Sequence, residues 1–302
     1  MRLSILFAAL AFSTGAWAAE PLTFCLNENA PPYSSRASHG GGFDATVAKA
    51  LAVRLGREFK ALWFESKLDE DSSGALEANA LLSDGKCQLV AGYPLNVDAL
   101  GKPGAPTARL PDFDGFKASD RRRRIALGTL APSKAYHFAP LAIVVGGAGI
   151  GKPIRGLDDL QGLRIGVEGG TLGDAILMTH GGGELIDGIT HLVPGREQLW
   201  PSFERGDFDA TLVPLHRFDA YRAQHEDTKL KASGYILPLG FNFGFVGLDG
   251  DAKLLADVDA ALSEMLADGE IAALAPGAGM TYFPPQAPDV RKSILMSELK
   301  AL

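Results

Sequence analysis

Short apolar strands alternate with amphipathic helices in the first part of the chain, and this alternation limits the fold more than any other feature. Residues 22–26, 58–64 and 88–91 have the composition of strands. Between them, residues 43–55 and 76–82 carry apolar side chains at helical spacing. Strands joined through helices lie parallel, with right-handed crossovers. The sequence therefore predicts an open α/β sheet.

The pattern starts again after an irregular stretch, residues 96–120, that is rich in glycine, proline and aspartate. Predicted strands at 141–145, 163–167, 189–193 and 210–213 alternate with short helices. A final strand and a long amphipathic helix follow at 241–248 and 254–266. Two similar α/β units predict a two-lobed protein. Because such sheets bind ligands outside the carboxyl ends of their strands, the cleft between the lobes is the expected site.

Residues 1–18 have the parts of a secretory signal peptide. Arg2 supplies the basic start, an apolar stretch follows, and Ala16 and Ala18 frame the cleavage site, so we expect cleavage after Ala18. The apolar stretch is too short for a spanning helix, which needs roughly 20 apolar residues. The sequence therefore predicts export to the periplasm without membrane insertion.

The charge of the chain argues against several classes of partner. Without residues 1–18 the chain has 28 basic and 36 acidic residues, a net charge of −8. Such an acidic protein is a poor partner for nucleic acid or an anionic membrane. Histidines do not recur at metal-ligand spacing, and no G-x-S-x-G motif occurs. A catalytic pocket would need a general acid or base that the sequence does not indicate, so no metal, cofactor or enzymatic activity is predicted.

The two cysteines of the chain, Cys25 and Cys87, lie in apolar, strand-like stretches. Cysteines of exported proteins form disulfides by default. A metal role would need further ligands at close spacing, which the sequence lacks. We therefore expect a Cys25–Cys87 disulfide between adjacent strands. It would close a loop of about 60 residues and stabilise the fold by roughly 4 kcal/mol.

Residues 157–173 (LDDLQGLRIGVEGGTLG) predict a short helix, a strand and a glycine-rich entry into a further helix. Glycines let backbone N–H groups approach a small ligand at a helix N-terminus. Gly170 and Thr171 are therefore candidate ligand-binding residues. The Thr171 hydroxyl could instead cap its own helix, or do both.

Several segments, in this order along the chain, resemble extracellular solute-binding proteins of family 3, which have the type II periplasmic binding fold. They are residues 31–34 (PPYS), 42–44 (GFD), 51–56 (LAVRLG), 158–162 (DDLQG), 170–171 (GT), 206–210 (GDFDA) and 254–269. The resemblance implies one lobe from residues 19–136 plus 242–302. It implies a second lobe from 137–241, with hinge segments at both of its ends. It also implies capture of a small polar molecule between the lobes for an ABC transporter permease.

A smaller set of residues resembles the accessory proteins of quinoprotein methanol dehydrogenases, the MxaJ/XoxJ-like group. Phe24 and Cys25, Trp63 and Phe64, and residues 85–94 (GKCQLVAGYP) carry this resemblance. That group has a comparable cysteine pair. The resemblance implies an alternative function as a partner of a periplasmic quinoprotein dehydrogenase.

Three further ligand-binding candidates follow from the family resemblance. Tyr33, whose backbone is fixed by two prolines, and Tyr93 are candidate aromatic walls of the cleft, although each could instead pack over the sheet edge. Arg121 or Arg122 best matches the arginine that holds an α-carboxylate in amino-acid binders, and Arg121 is the candidate chosen, with a solvated charge run as the alternative. Pro214 stands where those proteins have the carboxylate that pairs with an α-ammonium. An acidic or neutral small molecule, or a partner protein, is therefore expected.

Overall fold

The computed structural model describes residues 20–66, 73–117, 119–193 and 198–299. The predicted signal peptide, residues 1–18, lies outside the described residues and stays a prediction. Within the described ranges, no helix combines the length and the apolar character needed to cross a membrane.

Thirteen strands are present in the described part of the chain. They are β1 (Leu22–Asn27), β2 (Asn29–Ala30), β3 (Ser34–Ser35), β4 (Phe59–Glu65), β5 (Leu89–Pro94), β6 (Thr107–Arg109), β7 (Asp112–Phe113), β8 (Arg124–Ala126), β9 (Leu130–Val145), β10 (Ile165–Glu168), β11 (Ile189–Leu192), β12 (Ala210–Pro214) and β13 (Lys231–Leu248). The α-helices are α1 (Phe43–Arg54), α2 (Gly74–Ser83), α3 (Leu172–Thr179), α4 (Leu199–Glu204), α5 (Leu215–Gln224), α6 (Ala252–Ala267), α7 (Glu270–Leu274) and α8 (Met296–Leu299).

Nine strands form one hydrogen-bonded ladder in the order β11-β10-β12-β9-β13-β5-β1-β4-β7. β5, β1 and β4 run parallel and define the first lobe, and β12, β10 and β11 run parallel and define the second. The 16-residue β9 and the 18-residue β13 are antiparallel to each other; β9 also pairs with β12 of the second lobe, and β13 also pairs with β5 of the first. The lobes therefore share two hinge strands, and the predicted two-lobed α/β fold is confirmed.

The pairing of the two hinge strands changes register at several points. β13 shifts against β9 between Leu237 and Gly240, and again between Phe243 and Gly244. A Cβ atom at position 240 would lie 2.0 Å from the backbone oxygen of Ala139. Only glycine therefore allows the two strands to approach this closely.

Each lobe packs apolar side chains on both faces of its sheet. In β1, Phe24 packs with α1 on one face, whereas Cys25 packs with α2 on the other. In β9, Ile143 and Val144 likewise belong to two separate clusters of the second lobe. This alternation is what strands buried on both faces require.

Cys25 and Cys87 form the predicted disulfide, with their Cα atoms 5.7 Å apart. Cys25 lies in β1, and Cys87 precedes β5, which pairs with β1 so that Cys25 is opposite Val90. The adjacent strands therefore bring the two sulfur atoms together, as the sequence indicated.

The chain returns to the second lobe near its C-terminus. Leu262 of α6 and Ile271 of α7 pack in the first lobe. Ile294 and Leu299 instead pack against the apolar cluster of the second lobe, although the family resemblance implied that residues 242–302 belong to the first. The lobe boundaries themselves stay a prediction.

Candidate functional site

A cavity of about 320 Å³ opens at the carboxyl ends of β1, β4 and β5 in the first lobe. Open α/β sheets bind ligands at this edge, because the loops that follow the strands meet there. The rings of Tyr33 and Tyr93 line the cavity together with the carboxyl groups of Asp44 and Glu77. No lysine or arginine is among its lining residues in the described ranges. The cavity wall is therefore largely apolar, with two tyrosine rings and two carboxyl groups among its lining residues.

The loop that carries Tyr33 is positioned by the N-terminus of α1. The backbone oxygen of Tyr33 accepts a hydrogen bond from the Asp44 N–H at 2.7 Å, and that of Pro32 accepts one from the Phe43 N–H at 2.9 Å. Gly42 has a φ of +91°, and a Cβ atom there would lie 2.6 Å from the Tyr33 oxygen. Only glycine fits at this position, so the GFD segment fixes Tyr33 at the cavity.

Tyr33 also packs against three rings at the hinge. We call the four side chains Tyr33, His137, His216 and Phe243 the hinge ring cluster. The Tyr33 ring centroid lies 4.5 Å from that of His216 and 4.9 Å from that of His137. His137 and Phe243 face each other across the hinge strands and stack at 4.9 Å. Because His216 belongs to α5 of the second lobe, these rings fill the space beside the hinge and connect the lobes.

Both histidines of the hinge ring cluster are neutral at neutral pH. Burial lowers the pKa of His137 to about 3, and the nearby His216 adds to the effect. Burial, followed by the charge of Arg217, lowers the pKa of His216 to about 4. Neither ring nitrogen of His137 has a hydrogen-bond partner among the described residues. Charging such an imidazole is unfavourable, so the cluster packs as an apolar unit.

Asp44 places a carboxyl group in the wall of the cavity. Its side chain is 1% exposed, and Oδ1 accepts a hydrogen bond from the Tyr136 hydroxyl at 2.7 Å. Burial raises the pKa of Asp44 to about 7, although the Tyr136 hydrogen bond opposes the shift. Gly92 makes room for this carboxyl, because a Cβ atom there would lie 2.2 Å from Oδ2. Asp44 can therefore gain or lose a proton near neutral pH.

Glu77 supplies the second carboxyl group of the lining. It lies in the first turn of α2 and is 2% exposed. The Ser66 hydroxyl, which also lines the cavity, donates a hydrogen bond to Glu77 Oε2 at 2.5 Å. With Asp44, this residue places two acidic groups at the cavity.

Tyr93 forms one wall of the cavity, and a hydrogen bond from its hydroxyl fixes the ring. The ring is buried at the end of β5. Its hydroxyl donates a hydrogen bond to the backbone oxygen of Ala99 at 2.5 Å. Burial raises the pKa of Tyr93 to about 12. The structure thus brings Tyr93 to the same cavity as Tyr33.

Gly170 and Thr171 lie in the second lobe and do not line this cavity. The Thr171 hydroxyl donates to the Glu168 oxygen at 2.8 Å and accepts from the Asp174 N–H at 3.2 Å, so it caps α3. The Gly170 N–H donates to the Asp174 carboxylate at 2.8 Å. The chain's own carboxylate therefore occupies the helix N-terminus where a ligand was expected. Their role in ligand binding stays a prediction.

Arg121 lies in a short 3-10 turn, Asp120–Arg122. The position of its side chain lies outside what the structure describes. Its neighbour Arg123 forms an ion pair with Asp84 at 2.6 Å, and Arg124 donates a hydrogen bond to the Thr107 hydroxyl at 3.0 Å. Of the arginine run, Arg122, Arg123 and Arg124 do not line the cavity. The assignment of Arg121 as a ligand-binding residue stays a prediction.

Asp44 and Glu77 were not predicted from the sequence as site residues. The sequence contained a pattern that could have identified Asp44. This aspartate lies four residues before Ala48 and seven before Leu51, which places it on the buried face of α1. Buried carboxyl groups are rare unless they are paired or functional. Glu77 shares the buried face of α2 with Leu81 in the same way.

Comparisons with known proteins identify solved structures that have a similar fold. No protein-family model matches the sequence, and no curated protein gives a significant match. The chain is similar to the L-cystine solute receptor of Neisseria gonorrhoeae in its unliganded open conformation, with a TM-score of 0.60 and 17% identity over 88% of this chain and 96% of that chain.

Two further solved structures are similar over most of their length. The second substrate binding domain of GlnP from Lactococcus lactis, in an open conformation, has a TM-score of 0.58 and 15% identity over 84% of this chain and 92% of that chain. The second substrate binding domain of a proposed amino acid ABC transporter from Streptococcus pneumoniae has a TM-score of 0.59 and 17% identity over 85% of this chain and 99% of that chain. At such identities the likeness shows a shared two-lobed fold.

Proposed function

We propose that this chain is a periplasmic solute-binding protein that captures a small polar molecule for an ABC transporter and catalyses no reaction. The observation that carries the proposal is the cavity of about 320 Å³ at the carboxyl ends of the first-lobe strands, lined by Tyr33 and Tyr93. The similar structures support it, because they are solute receptors and substrate-binding domains. A solute that binds one arrangement of the lobes more tightly shifts the protein towards it. A permease would recognise that arrangement.

The lining of the cavity favours a neutral or cationic solute. Tyr33 and Tyr93 bring ring faces, which attract cations, and Asp44 brings a carboxyl group that attracts them when it is ionised. An acidic solute, which together with a neutral one was expected from the proline at position 214, would be repelled by the ionised carboxyl group of Asp44. The volume is at the small end of ligand pockets, roughly 300–1,000 Å³, and suits one small molecule.

Thermal unfolding in the presence of defined solutes tests the proposal. We would screen single amino acids, primary and quaternary amines, neutral sugars and organic acids against the purified mature protein. A ligand at one hundred times its Kd stabilises the fold by about 2.7 kcal/mol, which raises the Tm of a protein of this size by about 5 °C. We expect shifts for neutral or cationic solutes. A flat response to every class would contradict solute capture.

A matched pair of variants assigns any shift to the cavity. Ala30 lines the cavity and is half-buried, so Ala30→Phe should fill part of it and abolish the ligand-induced shift. Ala256 is exposed on α6, so Ala256→Phe should leave the shift unchanged. An equal shift in both variants would place the ligand elsewhere.

A second candidate function is that of an accessory to a periplasmic quinoprotein dehydrogenase. The observation that favours it is the hinge ring cluster, which occupies space between the lobes with the protein's own side chains. The Cys25–Cys87 disulfide agrees with the resemblance to that accessory group. Sedimentation of this protein with the purified quinoprotein dehydrogenase of the same organism tests it. Comigration together with a flat solute screen would favour this function, and separate sedimentation would exclude it.

A further inference from the structure

The last described segment, residues 281–299, runs across the hinge and contacts both lobes; we call it the C-terminal strap. Its first contact is with α5 of the second lobe. The Thr281 N–H donates a hydrogen bond to Asp219 Oδ2 at 2.8 Å, and the Thr281 hydroxyl donates one to Oδ1 at 3.0 Å. Because Asp219 is 1% exposed, the start of the strap is held by a buried carboxyl group.

Both hinge strands are hydrogen-bonded to the strap. Asn242 of β13 is completely buried, and its Nδ2 donates to the backbone oxygens of Gln286 at 2.6 Å and Asp289 at 3.0 Å. Its Oδ1 accepts from the Gln286 N–H at 2.9 Å. On β9, the Phe138 N–H donates to the Phe283 oxygen at 3.0 Å. The middle of the strap therefore follows the hinge.

The strap then binds the first lobe just beyond the end of β5. The Arg291 N–H donates to the Leu95 oxygen at 3.0 Å, and the Val97 N–H donates to the Arg291 oxygen at 2.9 Å. Two residues later, the Ser293 hydroxyl donates a hydrogen bond to the Asp98 carboxylate. These hydrogen bonds join the strap to the loop that follows β5.

The end of the strap is buried in the second lobe. Ile294 packs against the second-lobe cluster that contains Ile176, and Leu299 belongs to that cluster with 4% of its surface exposed. The helix α8, which carries Leu299, contacts α3. Ser293 is thus bonded to the first lobe, and its immediate neighbour Ile294 packs on the second.

We propose that the C-terminal strap sets the angle between the lobes, and that they open further at this edge only when Ile294 leaves the second-lobe cluster and either α8 unwinds or Leu299 also leaves. The chain between Ser293 and Ile294 has no slack. Once Ile294 has detached, unwinding of the four-residue helix α8 can supply additional chain length. Extending it from about 1.5 Å to about 3.4 Å per residue lengthens the connection by about 8 Å.

Distances between two spin labels test this proposal without any ligand, so the result does not depend on solute binding. Val53 on α1 is 70% exposed in the first lobe, and Ile186 is 43% exposed in the second. Val53→Cys and Ile186→Cys can be labelled selectively, because the two native cysteines are joined in a disulfide. Double electron–electron resonance then gives the distribution of interlobe distances.

We expect one narrow distribution with the intact strap. In the same labelled background, Leu299→Ala should add a population with a longer interlobe distance, because only the partly buried Ile294 then holds the strap to the second lobe. The matched control is Leu295→Ala, since Leu295 is 62% exposed on the same segment. It should reproduce the narrow distribution.

Two results would overturn the proposal: a broad distribution with the intact strap, or a Leu299→Ala distribution identical to that of the Leu295→Ala control. If circular dichroism shows that Leu299→Ala does not fold, Ile294→Ala replaces it, because Ile294 is only partly buried. A narrow, undisplaced distribution in that folded variant would then contradict the strap's role.

Discussion

Asp44→Asn tests whether the buried carboxyl group at the cavity is protonated in the folded protein. Burial raises the pKa of Asp44 from 3.8 to about 7, against the opposing effect of the Tyr136 hydrogen bond. Asparagine has nearly the same shape and still offers an oxygen to the Tyr136 hydroxyl, but it carries no charge. The variant is therefore a permanent copy of the protonated form.

The sign of the effect follows from proton linkage. Since the pKa is higher in the folded than in the unfolded protein, protonation of Asp44 stabilises the fold fully below about pH 4, and this stabilisation is lost as pH rises through about 7. A shift of about 3 pKa units corresponds to about 4 kcal/mol. Between pH 4 and pH 8, the free energy of unfolding of the wild type should thus fall by about 4 kcal/mol relative to that of Asp44→Asn.

Urea unfolding of both proteins at several pH values between 4 and 8 measures this difference. The titrations of the buried histidines are common to both proteins and cancel in the comparison. Asp257→Asn is the control, because Asp257 is an exposed carboxylate on α6. A difference between Asp44→Asn and the wild type that does not change with pH would refute the assignment of a raised pKa.

Three further predictions concern the disulfide, the hinge and the cap of α3. Replacing Cys25 and Cys87 by serine should lower the free energy of unfolding by about 4 kcal/mol in urea, because a loop with a sequence separation of 62 loses its constraint; an unchanged value would contradict this. Between pH 6.5 and pH 4 the wild type should lose about 3 kcal/mol of its free energy of unfolding through His137, because the folded-state pKa of His137 is about 3. His137→Phe should not show this loss; equal acid sensitivity of the two proteins would argue against a buried neutral imidazole. Thr171→Ala should cost about 1 kcal/mol through the lost N-cap and leave the thermal shift of a cavity ligand unchanged; a lost shift would instead support a ligand-binding role for Thr171.

The sequence was sufficient for features that depend on local pattern. The apolar spacing from Phe43 to Leu51 predicts α1, and the spacing from Leu255 to Leu262 predicts α6, because a buried helix face repeats every three to four residues. The cysteine pair was predictable, because two cysteines of an exported protein form a disulfide by default, and the structure places their strands β1 and β5 side by side.

The features that were missed depend on contacts between distant parts of the chain. Only residues 241–248 of β13 were predicted, because residues 231–240 contain a lysine, two glycines and a proline, and their pairing comes from β9. The end of the sequence, residues 282–302, begins with a proline-rich stretch. The sequence did not indicate that Leu299 packs against the second lobe, since nothing local specifies that partner. The hinge ring cluster was also missed, because its rings come from four separate segments.

Native mass spectrometry of the protein, purified gently from the periplasm of its host, tests solute capture most directly. We expect a one-to-one complex with a small neutral or cationic molecule in the wild type and in Ala256→Phe, and its loss in Ala30→Phe. The same small molecules bound equally to Ala30→Phe, or none bound to the wild type after incubation with host periplasmic extract, would contradict solute capture.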